Sequence, residues 1–85
     1  MQNSDEKEAA AIYMTMLTFG LLGDLNPYFK DGKITISGIK EAWNKTSGLE
    51  EVTNEKGYWL EQVEKGDRFV KTQWELWKAS FVNLS

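Results

Sequence analysis

An all-α fold, a compact bundle of about four helices forming one domain over residues 1–85, follows from three observations. Apolar residues recur at spacings of three and four along most of the chain, the period of helices that bury one face. No internal repeat, low-complexity tract or proline-rich linker interrupts the pattern, and the single proline is Pro27. Of the 85 residues 13% are aromatic and none is cysteine or histidine, so packing must replace disulfides and imidazole-bound metal.

The first helix opens at Ser4, a capping residue type, with Asp5, Glu6 and Glu8 placed against the positive end of its dipole. Ile12, Met16 and Phe19 fall on one side, with Tyr13, Leu17 and Leu21 alongside. Only Lys7, Ala11, Thr15 and Thr18 remain as a narrow small or polar strip. An apolar arc that wide belongs to the central helix of a bundle or to one that faces a second chain. Gly20 and Gly23 offer left-handed stops, so the helix should end near Leu22. Residues 9–23 carry no charge, but as a helix they span only about 22 Å of a hydrocarbon layer roughly 30 Å thick. Glu8 and Asp24 flank the run, where a membrane segment would carry basic or aromatic anchors. No membrane association is expected.

The stretch "NPYFKDGKITISGIKEAWNK" can be read as a calcium loop, a hairpin or a helix start. With Gly32 at the invariant glycine position of a calcium loop, the ligand positions hold Pro27, Phe29, Asp31 and Gly38, and only Asp31 can ligate. Starting instead at Asp24 puts Phe29 at the glycine position and Thr35 where a bidentate glutamate is needed. Neither register binds calcium. A hairpin needs a partner strand, and the segment before Asp31 holds proline and no alternation. Residues 23–32 are therefore expected to form a loop, pinned to the core by Tyr28 and Phe29. A helix over residues 36–45 follows, with Thr35 as N-cap and Ile34 and Ile39 at the two positions of a hydrophobic staple. A minimal β-bridge near residues 33–36 is the structural alternative at its entry.

Ser47 and Glu50 form a capping box for the next helix. Leu49, Val52, Lys56, Trp59, Leu60 and Val63 make one stripe through Gly57, which favours one helix although that glycine costs roughly 1 kcal/mol against alanine. Gly66 closes it and Asp67 caps the last helix, expected over residues 68–82. There Phe69, Val70, Trp74, Leu76, Trp77 and Phe81 share a side opposite Lys71, Thr72, Glu75 and Lys78.

Ten basic and 13 acidic side chains give a net charge of −3, which argues against nucleic acid as a partner and is weak for a phosphate mimic. Two helices joined by "TSG" invite a helix-turn-helix reading, but Glu50, Glu51, Glu55, Glu61 and Glu64 would make an acidic recognition helix. The lysines supporting that reading are Lys30, Lys33, Lys40 and Lys45. Without histidine, cysteine or a glycine-rich phosphate loop, no nucleophile with a base partner can be named, and an enzyme is not expected. Trp43, Trp59, Trp74 and Trp77 lie on apolar stripes and read as core in preference to a base-stacking platform or a cation cage.

What remains is a small acidic protein-binding module, a regulator or inhibitor acting on a protein partner without cofactor or metal. Its candidate contacts are Tyr58, Glu51 and Glu55 on the third helix and Ala11, Thr15 and Thr18 on the first, where the small strip could also seat a second copy in a homodimer. The alternative is a small-molecule module, for a nucleotide for instance, built from Tyr13, Tyr28 and the tryptophans at an oligomer interface. The acidic N-terminal stretch lacks the features of an export signal, so a cytoplasmic location is expected.

Overall fold

In the computed structural model, which describes residues 4–46 and 50–83, the first helix, α1 (Ser4–Phe19), is buried at every position from residue 9 to residue 16. Such a helix has no solvent face along its middle, as its wide apolar arc predicts for the centre of a bundle. α2 (Ile36–Thr46), α3 (Glu50–Glu64) and α4 (Arg68–Phe81) surround it, and α1 packs most extensively against α3. Trp43 and Trp74 are buried in the shared core, with Trp59 and Trp77 half-buried against it. No helix among the described residues is long and apolar enough to cross a membrane.

α1 stops at Phe19, three residues before the expected end, because Gly20 adopts φ 71° and turns the chain. Ser4 is itself helical, which puts the cap position outside the described residues. The expected loop is in large part a 3-10 helix, Leu22–Tyr28, that includes Pro27 and buries Leu25. Tyr28 and Phe29 do pack against the core.

The Asp-Gly dipeptide makes a two-residue turn. Asp31 and Gly32 both have positive φ, 54° and 79°, and Lys30 and Lys33 exchange both backbone hydrogen bonds across it at 2.7 and 3.0 Å. This is the smallest form of the hairpin that the lack of a partner strand argued against, for one bridge needs no strand. The next two residues, β1 (Ile34–Thr35), pair in parallel with β2 (Val82–Asn83), Ile34 opposite Val82. A two-stranded ladder thus ties the start of α2 to the end of α4.

Thr35 then caps α2 as expected, its Oγ1 accepting from the Gly38 N–H at 2.9 Å. Gly38 is buried where a Cβ would stand 3.2 Å from Ile34 Cγ1 and from Thr35 Oγ1. The missing side chain lets β1 fold back onto the helix it precedes. α3 runs unbroken through Gly57, which faces open space. The Ser47 cap and Leu49 lie outside the described residues. Gly66, at φ 76°, ends that segment, and Asp67 caps α4 by accepting from the Val70 N–H at 3.0 Å.

Candidate protein-interaction face

Six large apolar side chains occupy one side of α4, and the bundle covers only part of them. At about 100° per residue, Val70, Trp77, Phe81 and Trp74 span one edge of the arc, while Phe69, Gln73, Leu76 and Ser80 fall within about 60° of each other on the other. The first edge closes the fold. Trp74 is fully buried, and Trp77 stacks on Tyr13 of α1 with centroids 4.6 Å apart. Phe81 lies 5.6 Å from Trp77 and 6.2 Å from Phe29, extending the aromatic row to the end of the 3-10 segment. Burial raises the Tyr13 hydroxyl above its ordinary pKa, so it stays neutral beneath Trp77.

The second edge is open. Phe69 is 61% exposed and Leu76 65% exposed, although both share the apolar side of the helix with Trp74 and Trp77. One neighbouring helix face cannot cover an arc that wide, and α1 takes the Trp74 and Trp77 edge. Phe81 is 41% exposed and prolongs the open surface. Arg68 and Glu75 lie on its far flank beyond Thr72 and Ala79, about 110° and 130° from its centre. Arg68 has no ion-pair partner among the described residues.

A buried ionic cluster holds α4 in this rotation. The Glu6 carboxylate, on the first turn of α1, accepts from Trp74 Nε1 at 2.9 Å and from Lys78 Nζ at 2.7 Å. Lys78 also reaches Glu75 at 3.1 Å. Lys78 was expected opposite the apolar stripe and is instead drawn inward by Glu6. Burial alone would raise the Glu6 pKa, but the hydrogen bonds from Lys78 and Trp74 and the Lys78 charge outweigh it and hold the carboxyl below its ordinary value. Burial pulls Lys78 down, and its hydrogen bonds to Glu6 and Glu75 overcome that and raise it. Glu8 plays a similar part for α2 and α3, taking Lys56 at 2.8 Å and Lys40 at 3.4 Å.

The candidate contacts named from sequence separate into two groups. Tyr58 is 52% exposed and shares the outer face of α3 with exposed Glu51 and half-buried Glu55, whose carboxylate accepts from Trp59 Nε1 at 3.1 Å. Thr18 is exposed near the end of α1 and donates back to the Met14 carbonyl at 2.8 Å. Ala11 and Thr15 are 0% exposed, so they present no surface to a partner or to a second copy. Their small size does admit a close neighbour, but the chain's own helices fill that place. The Thr15 hydroxyl is satisfied inside the helix by donating to the Ala11 carbonyl at 2.7 Å.

Phe69 and Leu76 are the functional candidates that sequence reasoning missed. The signal available was the width of the α4 arc, greater than one packing partner covers. The residues named for a small-molecule site, Tyr13, Tyr28 and the tryptophans, are dispersed within the single chain. Tyr13 and Trp74 are spent on the core, and Tyr28 instead borders an open groove with Asp24, Pro27, Lys45 and Thr46. A second open groove is lined by Asp5, Ser37, Lys40, Glu41 and Asn44 with Ile36. No family model matches the chain, and comparison with curated proteins and with solved structures found no match.

Proposed function

We propose that this chain is a protein-binding module, a regulator or inhibitor without catalytic chemistry, whose working surface is the open edge of α4. The observation that carries the reading is the exposure of Phe69 and Leu76, 61% and 65%, beside a half-buried Trp77. Large apolar side chains clustered on a helix, with water on one side and a rigid aromatic row on the other, are the composition of an interface centre. The outer face of α3, with Tyr58 among glutamates, supports a weaker claim, because charged side chains at helical spacing are what a solvated face carries.

Affinity capture from cells that produce the protein tests the reading. The parent should retain a protein that Leu76→Glu loses and Tyr58→Ala keeps, with all three baits equally folded by circular dichroism. Retention by Leu76→Glu combined with loss by Tyr58→Ala would move the working surface to α3 and overturn the assignment.

A further inference from the structure

The open edge of α4 has a charge pattern that complements itself. Phe69 and Leu76 are seven residues apart on the strip, and Arg68 and Glu75 are seven residues apart on its flank. These two are the charged residues of α4 nearest the strip on the helical wheel, and they have opposite signs; Lys33, from outside α4, donates to the Ser80 carbonyl at the strip's end at 2.9 Å. Lys71 and Lys78 lie on the far side of the helix, where Lys78 is committed to Glu6. Arg68 is exposed and unpaired among the described residues, and the Glu75 side chain, 43% exposed, keeps room for a second cation.

A two-fold axis lying in the interface brings the same flank of each helix together with its direction reversed. With the axis beside residues 72 and 73, position 69 faces position 76 of the other copy. In that same register Arg68 comes within two residues of the other copy's Glu75, about 3 Å along the axis at 1.5 Å per residue. One register therefore pairs both the large apolar residues and the opposite charges, twice over by symmetry. Thr72 and Gln73, uncharged and short or flexible, fill the contact positions between them.

We propose that the open edge of α4 is covered by α4 of a second copy of this chain, antiparallel across a two-fold axis near Thr72 and Gln73. The proposal rests on reading that edge as an association surface and names its occupant. Phe69 and Leu76 together offer on the order of 200 Å² of apolar surface per copy. That is below the roughly 800 Å² per partner of a standard interface, so the dimer exchanges with monomer as concentration changes, leaving the edge available to other proteins at low concentration.

Sedimentation equilibrium from micromolar to millimolar concentration tests this, using the parent, Leu76→Glu, Arg68→Glu and Glu75→Arg, each first shown to be folded by circular dichroism. The parent mass should rise from 9.8 kDa toward twice that value. Leu76→Glu should remain monomeric, and each charge reversal alone should weaken association about tenfold or more, since like charges then meet at both ends. An equimolar mixture of Arg68→Glu and Glu75→Arg should regain the parent's association, because opposite charges face each other again only in the mixed pair. A parent that stays at 9.8 kDa overturns the proposal. So does a dimer that ignores the charge reversals or a mixture that fails to recover. A monomeric parent that still captures a cellular protein through Leu76 would remove the second copy as occupant and leave the functional reading standing.

Discussion

Glu6→Gln removes one charge from the cluster that sets the rotation of α4, and the structure supplies the size of the effect. The Glu6 side chain is 9% exposed and Lys78 18%, so the pair is largely shielded from water. Removing one partner of a buried ion pair costs about 3–5 kcal/mol, since the other charge is left buried without its counterion. Here Lys78 keeps Glu75 at 3.1 Å, and the glutamine oxygen can still accept from Trp74 Nε1. The loss should therefore be nearer about 2–3 kcal/mol, a large part of the roughly 4–13 kcal/mol expected for a domain of this size. In urea, with a slope of about 1–1.5 kcal/mol per molar, the midpoint should fall by about 2 M. Glu6→Ala should cost about 1 kcal/mol more, because it also orphans the Trp74 N–H.

The same carboxylate sets a pH dependence. Its folded pKa lies below its unfolded value, so between the two the unfolded chain binds more protons and stability rises with pH. The Glu6 contribution is complete above the unfolded value of about 4.3 and disappears as pH falls through the folded one. Urea melts from neutral pH down to about pH 3 should show the parent losing stability faster than Glu6→Gln, with the gap between them closing in acid. A Glu6→Gln protein within about 0.5 kcal/mol of the parent at neutral pH would refute the argument, as would a gap that acid leaves unchanged.

Trp74→Ala, which empties a fully buried site, should cost about 3–5 kcal/mol and leave little folded protein in a thermal melt, whereas Leu76→Ala should stay within about 1 kcal/mol of the parent. Thr15→Glu should unfold the chain by placing an unpaired charge at a 0% exposed position, while Thr15→Val should be tolerated because its hydroxyl bonds only to its own helix; circular dichroism distinguishes the two. Asp67→Ala should cost about 1 kcal/mol in a urea melt through loss of the cap on the Val70 N–H, and Asp67→Ser should recover most of it.

Local chemistry made α2, α3 and α4 legible. Thr35 and Asp67 cap where a side-chain oxygen three residues ahead of an N–H predicts, and Gly66 stops where a left-handed residue is needed. The β-bridge expected near residues 33–36 forms as β1, but its long-range partner left no local trace. The β1–β2 ladder joins two residues to two others across 48 positions of chain, and neither pair alternates long enough to read as a strand. Glu6 meets Lys78 at a separation of 72 residues, and the helical wheel of α4 placed that lysine in water because it scores chemistry and not coverage. The same blindness made contact candidates of Ala11 and Thr15, which are 0% exposed, and did not separate exposed Phe69 and Leu76 from the buried residues on their side of α4. A wheel shows what a face is made of. Which face a neighbour reaches depends on how many neighbours the chain can supply.

Site-specific photo-cross-linking in producing cells measures the central claim, that α4 divides its apolar arc between folding and binding. A photoreactive amino acid would replace Leu76 in one protein, Tyr58 in a second and Glu61, on the outer face of α3, in a third. Position 76 should yield discrete protein adducts, either at twice the chain mass or at the mass of a larger partner, with position 61 yielding none and position 58 few. Adducts that form from position 58 or 61 and not from position 76 would contradict the account, for the exposed edge of α4 would then face only water.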